Sequence, residues 1–274
     1  MLKFAANLSW LYTDLPFLDR FEAAARDGFK GVECLFPHEH PTAEVQARLQ
    51  AHGLSLVLFN ARPGDWAAGE RGLASLIDRE DEFRRSIFEA LDRAQALGCP
   101  RVHVMAGLCT DADPSPALAR YQQRLAWAAE QAQGSGVTLM IEPINPRDMP
   151  GYLLQRQAQA HDLVQAIGSA HLQVQMDLYH CQITEGDVTM RLRQYLPTGR
   201  VGHLQIAAVP DRGEPDRGEL SYGHVIDKLT ALRYGGWIGL EYRPRDAQPG
   251  GTSRGLGWLR ALAQAPTAES PDAD

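Results

Sequence analysis

A chain of 274 residues is too long for a small disulfide-stapled module and too short for two generous domains. A single domain of the barrel type, about 200–250 residues, is therefore the leading expectation. Hydrophobic residues at 44% and charged residues at 22% exclude a disordered or fibrous chain. With 34 acidic against 27 basic side chains, a formal charge of −7 argues against nucleic acid, whose phosphates need a surplus of Lys and Arg, and favours a small-molecule ligand.

The four cysteines, Cys34, Cys99, Cys109 and Cys181, form no CxxC pair, so neither a disulfide framework nor a zinc cluster is expected. Met1 to Asn7 lacks the pattern of a signal peptide, and no run of about 18 apolar residues is present to cross a membrane. A cytoplasmic protein without a membrane partner follows as the expectation, with a homo-oligomer left open.

Along the chain, eight apolar or β-branched runs begin at Lys3, Gly31, Ser55, Arg101, Thr138, Leu172, Val201 and Trp237. Their starts lie 28, 24, 46, 37, 34, 29 and 36 residues apart, close to the roughly 30 residues of one βαβ unit. Each run is nearly continuous in hydrophobicity, as strands buried on both faces require. Between them lie helical stripes with 3–4 spacing: Phe17, Leu18, Phe21, Ala24 and Ala25, then Phe83, Ile87, Leu91, Ala94 and Leu97. Leu118, Tyr121, Leu125 and Ala128 form a third stripe, and Val225, Ile226, Leu229 and Leu232 a fourth. Thr42, Asp187 and Ser221 read as helix starts, and Gly28, Gly53, Gly98, Gly136 and Gly235 as stops.

Eight alternating units predict an α/β fold, a single (β/α)8 TIM barrel over residues 1–263, followed by a disordered tail over 264–274. An open doubly wound sheet would want a Gly-rich phosphate loop after an early strand, and none is present. Segments 26–33 and 233–241 repeat one device, a helix end, glycine, an aromatic residue, a strand and a glutamate. Segments 62–81 and 208–221 are long insertions on the βα side and read as lids.

In such a barrel the C-terminal strand ends face the substrate. The fifth to eighth runs carry Glu142, Asp177, Gln205 and Glu241 at or near those ends. Each interrupts an apolar run and would be costly to bury alone. One divalent cation resolves this, and an all-oxygen ligand set suits Mg²⁺ or Mn²⁺ better than Zn²⁺. Glu33 has the same placement without an obvious partner on the first or third strand, which points to a structural or supporting ion pair.

The sequence resembles the hydroxypyruvate isomerase family within the xylose isomerase-like barrels. The resemblance rests on Phe4 to Leu8, Phe59-Asn60-Ala61 with Pro63-Gly64-Asp65, and His103 to Gly107. It continues through Pro210-Asp211-Arg212 with Glu214-Pro215-Asp216, Gly236 to Gly239 with Glu241-Tyr242, and Gly255 to Trp258. It implies that Glu142, Asp177, Gln205 and Glu241 hold the metal and that Glu142 and Glu241 are the acid/base pair. Asp177-x-x-His180 matches a spacing shared with related ketose epimerases, where the His contacts substrate. Gln205 stands where those epimerases usually have His, which favours the isomerase branch.

The implied reaction interconverts hydroxypyruvate and tartronate semialdehyde through an enediolate. The alternative is 2-oxo-tetronate isomerisation, because Ile141 to Asn145, Arg147 to Tyr152 and Tyr179 to Gln182 resemble that subgroup. The substrate partner is thus a small hydroxy-keto acid. Arg212, ranked first, with Arg62 and Arg243, are candidates for its carboxylate, and His180 and His103 for its oxygens. Trp66 and Phe36 are candidates for closing the pocket, while Cys34 and Cys181 near the mouth read as incidental core residues. A sugar epimerase, a multi-zinc endonuclease and a non-catalytic metabolite binder are the rival readings. Nine histidines and the acidic charge weigh against the endonuclease, and the Glu142/Glu241 pair against the binder.

Overall fold

The structure, a computed structural model, describes residues 2–264. The expected tail from Gln264 onward falls outside these residues, apart from Gln264 itself, which ends the last helix. In chain order the elements are β1 (Lys3–Asn7), α1 (Arg20–Arg26), β2 (Gly31–Cys34), α2 (Thr42–His52) and β3 (Ser55–Asn60). Then come α3 (Glu80–Leu97), β4 (Arg101–His103), α4 (Ser115–Gln131), β5 (Thr138–Ile141), α5 (Gln157–Ile167) and β6 (Leu172–Asp177). The chain continues through α6 (Leu178–Thr184), α7 (Val188–Tyr195), β7 (Val201–Ile206), α8 (Tyr222–Ala231), β8 (Trp237–Leu240), α9 (Gly251–Gly255) and α10 (Gly257–Gln264). The strands pair in sequence order into a closed parallel barrel, with β8 returning to β1. The (β/α)8 expectation is met.

The main core lies between barrel and helices, where Phe83, Ile87 and Leu91 of α3 and Tyr121 and Leu125 of α4 pack on the outward faces of the strands. Inside the barrel, Ala5, Val57, Leu58 and Met140 form a separate apolar plug, with Trp237 against it. Side chains two apart share a strand face, so the residues above this plug also point inward. They are polar: Asn7, Glu33, His103, Gln175, Asp177, His203 and Gln205 are all buried.

Within the two similar segments, a second glycine on each strand has a steric role. A Cβ on Gly31 would meet the Trp237 ring at 2.6 Å, and one on Gly239 would meet the Glu33 carboxylate at 2.3 Å. Each glycine on one strand makes room for a large inward side chain on the other, with β1 between them.

Some local expectations shift. Strand β4 is only three residues long, because beyond His103 the chain leaves the sheet and the Ala106 N–H bonds the Tyr152 hydroxyl at 2.9 Å. Helix α8 ends before Gly235, with Arg233 taking the left-handed turn (φ 53°). Thr42 is the first residue of α2, behind Pro41 at the cap, and neither Asp187 nor Ser221 caps its helix with a side-chain bond. Helix α6 starts directly from β6, with Asp177 as its cap, accepting the Tyr179 N–H at 2.8 Å. The 62–79 and 208–221 segments are without regular structure, and each is tied down by ion pairs, Arg79 with Glu70 in the first and Arg245 with Asp216 in the second. All four cysteines are free, and no helix among the described residues is long and apolar enough to cross a membrane.

Candidate active site

Four adjacent strands deliver the cluster. Glu142 follows β5, Asp177 ends β6, Gln205 lies in β7 and Glu241 follows β8. All four are buried. His103, at the end of β4, brings Nδ1 to 3.6 Å from Glu142 Oε2. His180, in the first turn of α6, brings Nε2 to 3.6 Å from Asp177 Oδ2 and 3.9 Å from Glu142 Oε1.

Arg212 closes the group from the 208–221 loop, with a left-handed backbone (φ 56°). Its Nη2 donates to Glu241 Oε1 at 2.5 Å and lies 3.7 Å from Asp177 Oδ2. The guanidinium stacks on Trp10 (4.4 Å) and Tyr179 (4.8 Å) and pairs with Asp148 at 3.4 Å. Asp148 also accepts the Tyr179 hydroxyl at 2.8 Å, so two aromatic rings and three carboxylates surround the guanidinium.

Below the carboxylates lies a hydrogen-bonded layer. Glu33 accepts His203 Nε2 at 2.6 Å, Gln205 Nε2 at 2.8 Å and Asn7 Nδ2 at 2.9 Å. The same two amides also reach Glu241 Oε2, Gln205 at 2.6 Å and Asn7 at 3.1 Å. Glu33 thus has partners on β1 and β7, including the β1 partner that its sequence did not reveal.

Burial sets the protonation pattern. It is the main reason that the Glu142 carboxyl lies well above the ordinary range, with the negative charges of Glu241 and Asp177 pushing the same way. Glu241 is pushed up to about 8 by burial, against the pull of Arg212. Asp177 is raised to about 6, again by burial, with Arg212 opposing. Burial lowers His103 to about 3 and pushes His180 well below its usual value.

The residues fit a divalent cation. Glu142, Asp177 and His180 each offer a ligand atom, all within 4.8 Å of one another. Glu142 Oε1 and Asp177 Oδ2 are buried without a hydrogen-bond partner. Two orphaned carboxylate oxygens at one place are what a hard cation satisfies. Gln205, expected among the ligands, turns its amide nitrogen to Glu33 and Glu241, while Oε1 accepts Gln175 Nε2 at 2.6 Å.

Arg62 does not join the cluster. It is half exposed, pairs with Glu89 at 2.9 Å and lines a separate cavity of about 520 Å³ with residues of α2 and α3. A loop arginine next to a strand end turns outward when an acid on the following helix faces it. Arg243 stacks on Trp10 at 5.2 Å and hydrogen-bonds the Arg212 carbonyl through its backbone. Phe36 and Trp66 pack edge-on at 5.0 Å. The sequence pattern alone does not point to Asn7, Gln175, His203, Asn145 or Asp148. Asn7 comes closest, because it ends β1 as Asp177 ends β6.

Comparison with known proteins agrees with this geometry. A family profile described as xylose isomerase-like TIM barrel matches residues 21–262. The chain belongs to the xylose isomerase-like TIM barrel family. Within this family it is 56% identical to the 2-oxo-tetronate isomerase of Cupriavidus necator, over 95% of this chain and 98% of the relative. It is 39% identical to the hydroxypyruvate isomerase of Escherichia coli K12, over 94% and 98% of the two chains. A solved Brucella melitensis protein, described as an AP endonuclease of family 2, superposes with a TM-score of 0.91 at 42% identity, covering 95% of this chain and 99% of that one. This family member is an enzyme of the isomerase class.

Proposed function

We propose that the protein isomerises a small hydroxy-keto acid by moving a proton between adjacent carbons, with 2-oxo-tetronate as the preferred substrate. The observation that carries this reading is the pair Glu142 and Glu241, from β5 and β8, buried in one cluster and both held above the ordinary carboxyl range. A carboxyl group whose pKa burial has raised is a stronger base than an ordinary carboxylate and can both take and return a proton. One glutamate removes the proton from the carbinol carbon, an enediolate forms, and the other returns a proton to the former carbonyl carbon. The hydroxyl proton passes between the two oxygens in the same exchange, so the net change is the position of the carbonyl.

His180 and His103, both neutral, border Glu142 and are the candidates for holding the substrate oxygens. Arg212 is the candidate for the substrate carboxylate, since its guanidinium is already oriented by two aromatic faces. Glu142, Asp177 and Glu241 would hold Mg²⁺ or Mn²⁺, which when bound supplies Lewis-acid stabilisation of charge developing on substrate oxygen. The four-carbon substrate is supported by two relatives named 2-oxo-tetronate isomerase at 56% and 45% identity, above a third of that name at 40% and the hydroxypyruvate isomerases, putative ones included, at 38–42%. Hydroxypyruvate is the second reading, favoured by those last relatives. Cysteine usage supports a cytoplasmic setting, and the net charge of −7 a small-molecule partner rather than nucleic acid.

The test is to incubate metal-supplemented enzyme in D₂O with each acid separately. The expected result is isomerised product carrying solvent deuterium at carbon, with the higher kcat/KM for 2-oxo-tetronate. Glu142→Gln and Glu241→Gln should each lose about a hundredfold or more in kcat. No turnover of either acid by wild type would sink the reading.

A further inference from the structure

Asn145 is fully buried three residues after Glu142. Its Oδ1 accepts the backbone N–H of Asp148 at 2.9 Å. A backbone N–H can only donate, so this contact assigns the amide oxygen and leaves Nδ2 facing His180. Nδ2 lies 2.6 Å from His180 Nδ1, and the backbone N–H of Asn145 points to the same ring atom at 3.4 Å. Two groups that only donate therefore converge on Nδ1. That nitrogen must keep its lone pair, and the ring proton sits on Nε2.

Nε2 faces Asp177 Oδ2 at 3.6 Å and Glu142 Oε1 at 3.9 Å, the two oxygens that lack a hydrogen-bond partner. A single contact would ask Nε2 to accept: Arg212 Nη2 at 3.4 Å. That same Nη2 holds Glu241 Oε1 at 2.5 Å, a far stronger acceptor than a ring nitrogen. Moving the proton to Nδ1 would press it against two donors to relieve one. A protonated imidazolium meets the same obstacle.

We propose that Asn145 is a positioning residue that locks His180 as the Nε2–H tautomer. His180 then donates a hydrogen bond to a substrate oxygen and does not coordinate a metal ion. The second half rests on the isomerase reading above, while the tautomer rests on geometry alone. A lone pair on Nε2 would add a nitrogen ligand beside the carboxylates. A hydrogen there leaves an all-oxygen ligand set and supplies a neutral donor beside the proton-transfer pair.

The test is a long-range ¹H–¹⁵N correlation spectrum of histidine-labelled, Mg²⁺-supplemented enzyme, with the His180 signals assigned by their loss in His180→Gln. The expected pattern is a protonated Nε2 and an unprotonated Nδ1. Asn145→Asp places a carboxylate acceptor opposite Nδ1 and should reverse the pattern, with kcat falling about tenfold or more while KM changes less than about threefold. A wild-type spectrum with Nδ1 protonated, alone or with Nε2, overturns the proposal. So does an Asn145→Asp enzyme whose kcat matches wild type although its tautomer has reversed. The spectrum needs no turnover, so inactivity toward both acids alongside the expected pattern overturns the isomerase reading and leaves the tautomer assignment supported.

Discussion

At the residue scale, the buried carboxyls make stability depend on pH in an unusual direction. Glu241 titrates near 8 in the fold against 4.5 for an ordinary glutamate, and Asp177 near 6 against 3.8. Between the two values the native state binds protons that the unfolded chain has already lost, so stability falls as pH rises. Metal-free protein should therefore melt at a lower temperature at pH 8 than at pH 5, and Glu241→Gln should flatten that slope. Adding Mg²⁺ should raise the melting temperature more at pH 8, where the carboxylates are charged, than at pH 5. Equal shifts in thermal scans at both pH values would contradict the metal role of these oxygens. Arg212 yields a second expectation. Replacing it by Lys keeps the charge but loses the planar fork packed against Trp10 and Tyr179, so kcat/KM should drop roughly 10- to 100-fold in steady-state assays.

The residue scale also shows which parts of the site can be read from sequence. Glu142, Asp177 and Glu241 were legible because a carboxylate that interrupts an apolar run must be doing something with its charge. Glu33–His203 and Asn145–His180 were not, since each pairs side chains 170 and 35 residues apart, and residue type does not record such a meeting. Arg62 misled for the opposite reason. Its position after β3 was right, but the direction of its side chain is decided by Glu89 on the next helix.

At the scale of elements, eight buried strands of four to six residues, or three in β4, announced themselves by continuous hydrophobicity. Their ends were less legible, because a strand stops where its backbone finds another partner, as the Ala106 N–H does in the Tyr152 hydroxyl. Strand β8 gives a direct check on packing inside the barrel. Gly239→Ala would drive a methyl group to within 2.3 Å of the Glu33 carboxylate, and should cost about 1–3 kcal/mol in denaturant unfolding. Gly235→Ala, where a Cβ meets nothing within 4 Å, should unfold like wild type. Equal costs at the two positions would mean that the contact with Glu33 does not govern the effect.

At the scale of the molecule, the apolar plug and the polar layer above it divide the barrel interior into a supporting half and a reactive half. The 208–221 loop joins the reactive half through Arg212 and is pinned from β8's side by Arg245, which bonds Asp216 at 2.6 Å and the Glu214 carbonyl at 2.7 Å. Arg245→Ala should leave the barrel folded by circular dichroism, yet speed proteolytic cleavage within 211–219 and raise KM for the substrate. Unchanged cleavage would show that the loop holds itself.

The reciprocal fit of Gly31 with Trp237 and of Gly239 with Glu33 has a consequence for how this barrel can change. Four positions on β2 and β8 form two matched pairs, in which neither glycine takes a Cβ unless the large side chain opposite it shrinks or moves. A chimaera that takes β2 or β8 alone from a distant barrel breaks those pairs, whereas one that takes both carries them across intact.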